Sequence, residues 1–493
     1  MKSISQNVVI SLVNLAIFLS ILLLFFSYNL HYFYVHGAPV YDGGFCAWLS
    51  RFAADWLMRN PPLIGGFALP IHFWLIYFLS HGMAAILPDM PYPVWNSLFM
   101  ALWPALLWLG LFLLVPEDAV RSPVRRAAFA VLLTLNGLTL SMLGFPHVES
   151  FIPALFFVGI ACWLGRRGQL DQALAVAAFA VMLSIREDAG LHACLALAAL
   201  AAAAFWAENE TLARRLIFLA VIGFCYSASV LALQRFVVPA GGEAMGRVYL
   251  GHPFLAHVDG QMLAHRLIYW AGARCYIFVP LAILAATAGY WRDRTLALGV
   301  AICLPWLGLS LVAFSPIAGG LFGYYSVPLM FGFFWPLLLA RLPGVTPSER
   351  RIRLLRLQGV MAAVSTFLFV LIGTAVLVGG KGSVHQWAPW LQVMPTSPDR
   401  IAATERFLSS LGASPQFDRL IFDDGAASLL MGRLREGQYR FRLAYSDAEI
   451  SQAVGFVRFL EEDEDARESE AQLMAHFPIC RPVNGTALEQ CGR

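Results

Sequence analysis

Apolar segments long enough, or nearly long enough, to cross a lipid bilayer recur along most of this chain. Of its 493 residues, 59% are hydrophobic and only 13% are charged, whereas soluble domains carry about 25% charged residues. A transmembrane helix needs about 20 predominantly apolar residues. The composition therefore predicts an all-α polytopic membrane protein with about 11 transmembrane helices. The segments are Val8–Phe26, Val94–Val115, Ala127–Leu143, Phe151–Leu164, Ala173–Ile185, Ala189–Trp206, Leu216–Leu233, Tyr276–Tyr290, Leu296–Phe314, Val327–Ala340 and Val360–Val378.

The arginines predict how these helices are oriented, because short cytoplasmic loops are enriched in basic residues. Five alternate loops carry them: Arg121, Arg125 and Arg126; Arg166 and Arg167; Arg214 and Arg215; Arg292 and Arg294; and Arg341 to Arg356. If all five are cytoplasmic, the N-terminus is also cytoplasmic and the C-terminal tail is external. For a bacterial inner membrane, this orientation makes the tail periplasmic.

The segment between the first two spans does not fit a simple crossing. Residues 67–92 are apolar but are interrupted by Pro70, His72 and His81, and we predict a re-entrant or interfacial element there. The preceding external loop, residues 29–66, presents Asp42 beside Gly43 and continues into an amphipathic helix that we expect to lie flat on the membrane. Asp42 is either a functional acid or a residue that forms the turn.

Three consecutive charges, Arg186, Glu187 and Asp188, separate two apolar segments. Charged side chains within or beside membrane-spanning segments are costly, so such residues usually face a cavity or an aqueous interface. His147 and Glu149 precede the neighbouring span, and we expect the two groups to meet in one site. The alternatives are a plain connecting loop and a salt-bridge network that only locks two helical hairpins together.

The tail has a different composition and predicts a separate unit. Residues 1–380 form the transmembrane domain, and residues 381–493 read as a small soluble α/β domain. It includes an amphipathic helix at Ile401–Leu411 and a buried strand that ends at Asp423 and Asp424. Cys480 and Cys491 can form a disulfide if this tail lies in an oxidising compartment, and the sequence leaves their state open.

Several short motifs occur in the order found in a bacterial membrane family that is catalogued as domain of unknown function 2079. The chain resembles that family over roughly residues 1–340. The motifs are Tyr41-Asp42-Gly43-Gly44, His72-Phe73, Pro146-His147-Val148-Glu149, Arg186-Glu187-Asp188-Ala189-Gly190-Leu191 and Tyr324-Tyr325-Ser326-Val327-Pro328. That family is similar to the GT-C superfamily of polytopic glycosyltransferases, which use polyprenyl-phosphate-linked sugars.

The resemblance implies a GT-C-like fold and a site at the external face. Asp42 takes the catalytic position, and the chain departs from the family at Cys46-Ala47-Trp48, where a further Asp-Gln pair is expected. By the needs of sugar transfer, Glu187 and Asp188 can bind sugar hydroxyls, orient Arg186 or hold a divalent cation, Mg²⁺ or Mn²⁺. The implied substrate- and phosphate-binding residues are His72, His147, Glu149, Arg186, Glu187, Asp188 and Tyr325.

Glycosyl transfer from a polyprenyl-phosphate-linked sugar to a glycan, lipid or protein acceptor is the expected function. Intramembrane charges and interrupted helices are also typical of transporters, so a lipid or sugar flippase is the second hypothesis. A non-catalytic subunit for cell-envelope assembly is the third. The bilayer is an expected partner in each case, and nucleic acid is not.

Overall fold

Helices dominate the computed structural model. The structure describes residues 2–36, 76, 82, 86, 91–143, 147–165, 168–237, 249–378, 397–430, 438, 445–460 and 464–493. Its helices in chain order begin with α1 Lys2–His31, α2 Tyr92–Leu114, α3 Pro123–Thr134, α4 Gly137–Leu140, α5 Phe151–Gly165, α6 Gln169–Ile185, α7 Ala189–Trp206 and α8 Glu210–Val237. They continue with α9 Gly260–Ala273, α10 Cys275–Trp291, α11 Arg294–Ala301, α12 Leu304–Leu311, α13 Pro316–Gly319, α14 Leu329–Phe333, α15 Trp335–Arg341 and α16 Ser348–Val378.

Length and composition identify this chain as a multi-pass membrane protein. Within the described ranges, 7 helices are long and apolar enough to cross a bilayer, or 8 if the bent pair α9 and α10 forms one span. Three other predicted spans do not form a continuous helix of that length. Helix α6 is only 17 residues long, and the spans α3–α4 and α14–α15 are each interrupted. The figure of about 11 spans therefore remains a prediction.

Asn136 explains the interruption between α3 and α4. Its side-chain oxygen accepts hydrogen bonds from the Leu138 and Thr139 backbone N–H groups and so caps α4. Its amide nitrogen donates to the Leu133 carbonyl at 2.7 Å, at the end of α3. An asparagine that satisfies both helix ends lets the chain break inside an apolar region without leaving backbone groups unpaired.

Several of the arginine-bearing loops that were predicted to be cytoplasmic, or residues next to them, meet at one end of the helical bundle. Arg351 forms an ion pair with Asp118, and Arg350 forms one with Asp293 at 2.6 Å. Asn209 donates to the Pro343 carbonyl at 3.1 Å. We call this end, defined by the loops at residues 117–122, 207–209, 292–293 and 342–347, the arginine face. The opposite end carries residues 147–150, 186–188 and 323–326, and we call it the cluster face.

The C-terminal unit combines a small sheet with short helices. Its elements are α17 Pro398–Gly412, β1 Leu420–Phe422, α18 Asp424–Leu430, α19 Asp447–Gln452, β2 Gly455–Phe459, α20 Glu464–His476, β3 Ile479–Pro482 and β4 Leu488–Gly492. The strand order is β1-β2-β4-β3, with β1 parallel to β2 and the other pairs antiparallel. The predicted helix and strand at the start of the tail are both present, and a disulfide joins Cys480 to Cys491 across β3 and β4.

This unit contacts the helical bundle near the cluster face. The Tyr34 hydroxyl, in a π-helical turn that follows α1, donates to the Glu405 carboxylate at 2.8 Å. That turn also lies against the start of α2, where the Phe33 and Tyr92 rings are 6.0 Å apart. The start of α2 in turn contacts α5 through Phe99 and Phe151, at 5.1 Å.

The C-terminal unit should be less stable at pH 8 than at pH 5. Burial raises the pKa of the Glu470 carboxyl to about 8, the charge of Asp423 adds to the rise, and the ion pair with Arg458 opposes it. A raised folded-state pKa means that the folded unit binds more protons than the unfolded chain between these pH values. Stability therefore falls as pH rises, and we expect a loss of about 3 kcal/mol.

Native-state hydrogen exchange of the β2 and β4 amides in the full chain, corrected for intrinsic exchange rates, measures this change. Glu470→Gln should remove most of the pH dependence, whereas Asp399→Asn, at an exposed carboxyl in α17, should keep it. Greater protection at pH 8 than at pH 5 would contradict the assignment.

Candidate functional site

The charged triplet occupies the tight connection between two antiparallel helices. Arg186 ends α6 in an extended conformation, and Asp188 directly precedes α7, where its carbonyl accepts the His192 N–H. Glu149 lies in a 3-10 turn, Val148–Ser150, that leads into α5. Because α6 packs against both α5 and α7, the ends of all three helices converge at the cluster face.

Gly190 and Gly223 bring the next helix close to this point. A Cβ atom added to Gly190 would collide with the carbonyl oxygen of Gly223, so only glycine allows α7 and α8 to approach each other here. This contact lies two residues after Asp188 and fixes the position of the triplet against α8.

Six side chains form a continuous series of polar contacts, which we call the charged cluster. Arg186 contacts Glu149 (Nη1 to Oε1, 3.4 Å) and Asp188 (Nε to Oδ1, 3.0 Å). His147 Nδ1 lies 3.2 Å from Glu149 Oε2, and His192 Nε2 lies 3.5 Å from Asp188 Oδ2. Glu187 completes the cluster at 4.0 Å from the Arg186 Nε atom. The predicted contact between the charged triplet and the pair His147 and Glu149 is therefore present.

The cluster is buried and carries more negative than positive charge. Glu187 is 0% exposed, and the other members are also buried. Three carboxylates share one guanidinium, and the two imidazoles add positive charge only when they are protonated. Such a group is costly to bury unless its charges are paired or a ligand compensates them.

Aromatic side chains enclose the cluster on one side. The His147 and Tyr324 rings stack at 3.8 Å, Tyr324 and Tyr325 lie 4.3 Å apart, and Tyr249 lies 6.4 Å from Tyr325. Burial raises the pKa of the Tyr249 phenol, although the positive charge of Arg186 opposes the rise. Tyr249 therefore stays protonated at neutral pH and can donate a hydrogen bond to a ligand.

The charge balance changes the role expected for Arg186. Two carboxylates already engage its guanidinium, so a phosphate would have to compete with both of them. Carboxylate oxygens accept hydrogen bonds from hydroxyl groups, and the cluster therefore suits a hydroxyl-rich ligand better than an anion.

A cavity lies at the same face and offers a more accessible cation. It has a volume of about 520 Å³ and is lined by residues of α9 and of the segment that follows α12, including Arg266, Tyr269 and Phe322. Arg266 donates to the Leu311 carbonyl at 2.7 Å. The hydrogen-bond acceptors of Arg266 within the described residues are backbone carbonyls, so no described carboxylate forms an ion pair with it.

The cluster does not fit a preformed metal site. In the described part of the chain, only Cys480, Glu489 and Cys491 bring three candidate ligand atoms within 4.8 Å of one another. Glu187 and Asp188 belong to no such group, and the two cysteines are joined in a disulfide. We therefore assign no step to Mg²⁺ or Mn²⁺.

Sequence reasoning located part of this site. His147, Glu149, Arg186, Glu187 and Asp188 come together, and Tyr325 lies in the aromatic wall. Asp42 and His72 lie outside the described residues. His192, Tyr249 and Tyr324 were not among the predicted site residues; the i, i+4 spacing from Asp188 to His192 on one helix was the available signal for the histidine.

Comparisons of this chain with protein-family models, with curated proteins and with solved structures found no match. The likeness to domain of unknown function 2079 and to GT-C glycosyltransferases therefore rests on the short motifs in their order.

Proposed function

We propose that this protein is a membrane glycosyltransferase that moves a sugar from a polyprenyl-phosphate-linked donor to a glycan, lipid or protein acceptor. One observation carries the proposal: a buried, carboxylate-rich cluster lies at one end of an otherwise apolar bundle. By the distribution of arginines, that end is the external face.

The interior next to the cluster favours chemistry at one face over passage through the bundle. Phe156 and Phe331 are buried at 4.8 Å from each other, and Phe157 and Phe334 at 5.2 Å. Of the described residues in the bundle, Arg126 is the buried charged side chain at the arginine face; the other buried charges lie toward the cluster face. A transporter requires a polar site that opens to both sides, typically near the midplane.

The charged cluster and the cavity at Arg266 suggest a division of roles. The charged cluster and Tyr249 would bind sugar hydroxyls, and Arg266 would bind the donor phosphate. A carboxylate within hydrogen-bond reach of the acceptor hydroxyl can act as general base, and the resemblance assigns that role to Asp42. The lipid chain of the donor would remain in the bilayer beside α9.

Purified protein in liposomes, given polyprenyl-phosphate-linked hexoses and pentoses labelled in the sugar, tests the proposal. We expect at least one donor to be converted to polyprenyl phosphate together with a labelled acceptor or free sugar. Glu187→Gln removes one of three clustered carboxylates and, through the weakened hydrogen bond to a sugar hydroxyl, should reduce turnover by about 10- to 100-fold. Glu210→Gln, at an exposed ion pair with Arg214 on the arginine face, is the matched control and should keep full activity.

The flippase hypothesis predicts a different product. A flippase moves intact donor between leaflets, so the label would become accessible on the other side while still attached to the lipid. Movement of intact donor with no cleavage of any donor in the panel would contradict glycosyl transfer.

A further inference from the structure

A groove at the arginine face, far from the charged cluster, has the properties of a lipid site. It lies between α10 and α16 and has a volume of about 500 Å³. The two helices pack together in antiparallel fashion. Each contributes one stripe of residues with helical spacing, so the groove follows the helix axes.

The polarity of the groove changes with depth. Arg353, Arg356, Tyr290 and Trp291 line its outer end, near the loop that connects α10 to α11. Val360 lines its inner part, about 10 Å from Arg353 along α16 at 1.5 Å per residue. Ile283 lies opposite, on α10. A charged and aromatic end that continues into an apolar channel matches the two parts of a phospholipid.

The two arginines of the groove differ from their neighbours on the same helix. Arg350 and Arg351 form ion pairs with Asp293 and Asp118. Within the described ranges, no carboxylate pairs with Arg353 or Arg356. Both side chains are exposed, so their charge is available to a ligand from the surroundings.

The groove also opens toward the region that lipid would occupy. Tyr290 is 87% exposed and Val360 is 51% exposed. The stripe that contains Val360 continues along α16 to Phe367 and Leu371, which are also exposed large apolar residues. Amphipathic aromatic side chains such as Tyr290 and Trp291 are typical of the headgroup level of a membrane.

We propose that this groove binds an anionic phospholipid from the adjacent leaflet. The lipid phosphate lies between Arg353 and Arg356, the headgroup contacts Tyr290 and Trp291, and one acyl chain follows Ile283 and Val360. Guanidinium groups suit this role because they form bidentate hydrogen bonds with phosphate. Basic pockets between transmembrane helices bind anionic headgroups in this way. The site goes beyond the proposed function and does not depend on it.

Native mass spectrometry of the full chain with phosphatidylglycerol tests the proposal. Arg353→Gln/Arg356→Gln should weaken binding by about 30-fold, from about 1 kcal/mol for each arginine near a membrane surface. Arg214→Gln/Arg215→Gln removes two charges from the same face outside the groove and should leave binding unchanged. Equal losses in the two double variants would show a general surface charge effect and overturn the site.

Two further measurements keep the test decisive if the arginine variant does not fold. Val360→Trp fills the apolar part of the groove at a half-exposed position and should weaken phosphatidylglycerol binding without a change in charge. Phosphatidylcholine should compete poorly with phosphatidylglycerol, and inorganic phosphate should not displace it. Unchanged binding in Val360→Trp, or displacement by phosphate alone, would overturn the lipid assignment.

Discussion

Arg186→Gln is expected to lower the free energy of unfolding by about 3–5 kcal/mol, because it leaves three buried carboxylates without their shared cation. Glu149 and Asp188 both contact the guanidinium, and neither can gain compensating hydration while it remains buried. Unfolding by sodium dodecyl sulfate in mixed micelles measures the loss. Arg186→Lys should fall between the wild type and Arg186→Gln, since the charge remains but the geometry of the guanidinium does not.

Two variants separate this loss from a general effect of removing an arginine. Arg350→Gln breaks a partly exposed pair with Asp293 and should cost no more than about 1 kcal/mol. Glu149→Gln combined with Arg186→Gln removes one uncompensated charge and should recover about 1–2 kcal/mol relative to Arg186→Gln alone. A loss below 1 kcal/mol for Arg186→Gln would show that Arg186 is not what compensates the cluster.

Asp42→Asn is expected to reduce sugar transfer by about 10²–10⁴-fold, the usual contribution of a general base. The substitution keeps the shape of the side chain and removes its ability to accept a proton. Donor binding and the unfolding transition should change little, because the sugar contacts are assigned to the charged cluster. Labelled transfer in liposomes and donor binding by native mass spectrometry measure the two effects.

Asp55→Asn is a suitable control, because it alters another acid of the same predicted external loop. It should retain activity within a few-fold of the wild type. Full turnover by a well-folded Asp42→Asn variant would remove Asp42 from the chemistry.

The sequence predicted the helical pattern of this chain better than it predicted the helix boundaries. Apolar length and the arginine pattern identified the α6–α7 hairpin, because a charged connection between apolar segments has few arrangements. The break at Asn136 was missed, since it depends on a side chain that caps one helix while it bonds the end of another. Such a pair of contacts leaves no trace in hydropathy.

The site shows the same limit at the level of individual residues. The order of the spans along the chain predicted that Glu149 and Arg186 lie close together, because neighbouring spans with a short connection pack side by side. It did not reveal that two carboxylates would occupy the guanidinium, which moves the expected phosphate contact to Arg266. His192 belongs to the site because it lies one helical turn after Asp188, and Tyr249 because its loop packs against Tyr325. Only three-dimensional packing decides such contacts.

Photo-crosslinking of the donor tests most directly whether the charged cluster is where sugar transfer occurs. A polyprenyl-phosphate-linked sugar with a diazirine on the sugar ring would be irradiated with the full chain in liposomes, and the modified peptides identified by mass spectrometry. The predicted result is modification within residues 147–149, 186–192 or 324–325, reduced by excess unlabelled donor and by Glu187→Gln. Competable modification confined to the arginine face, such as the groove between α10 and α16, would contradict the site.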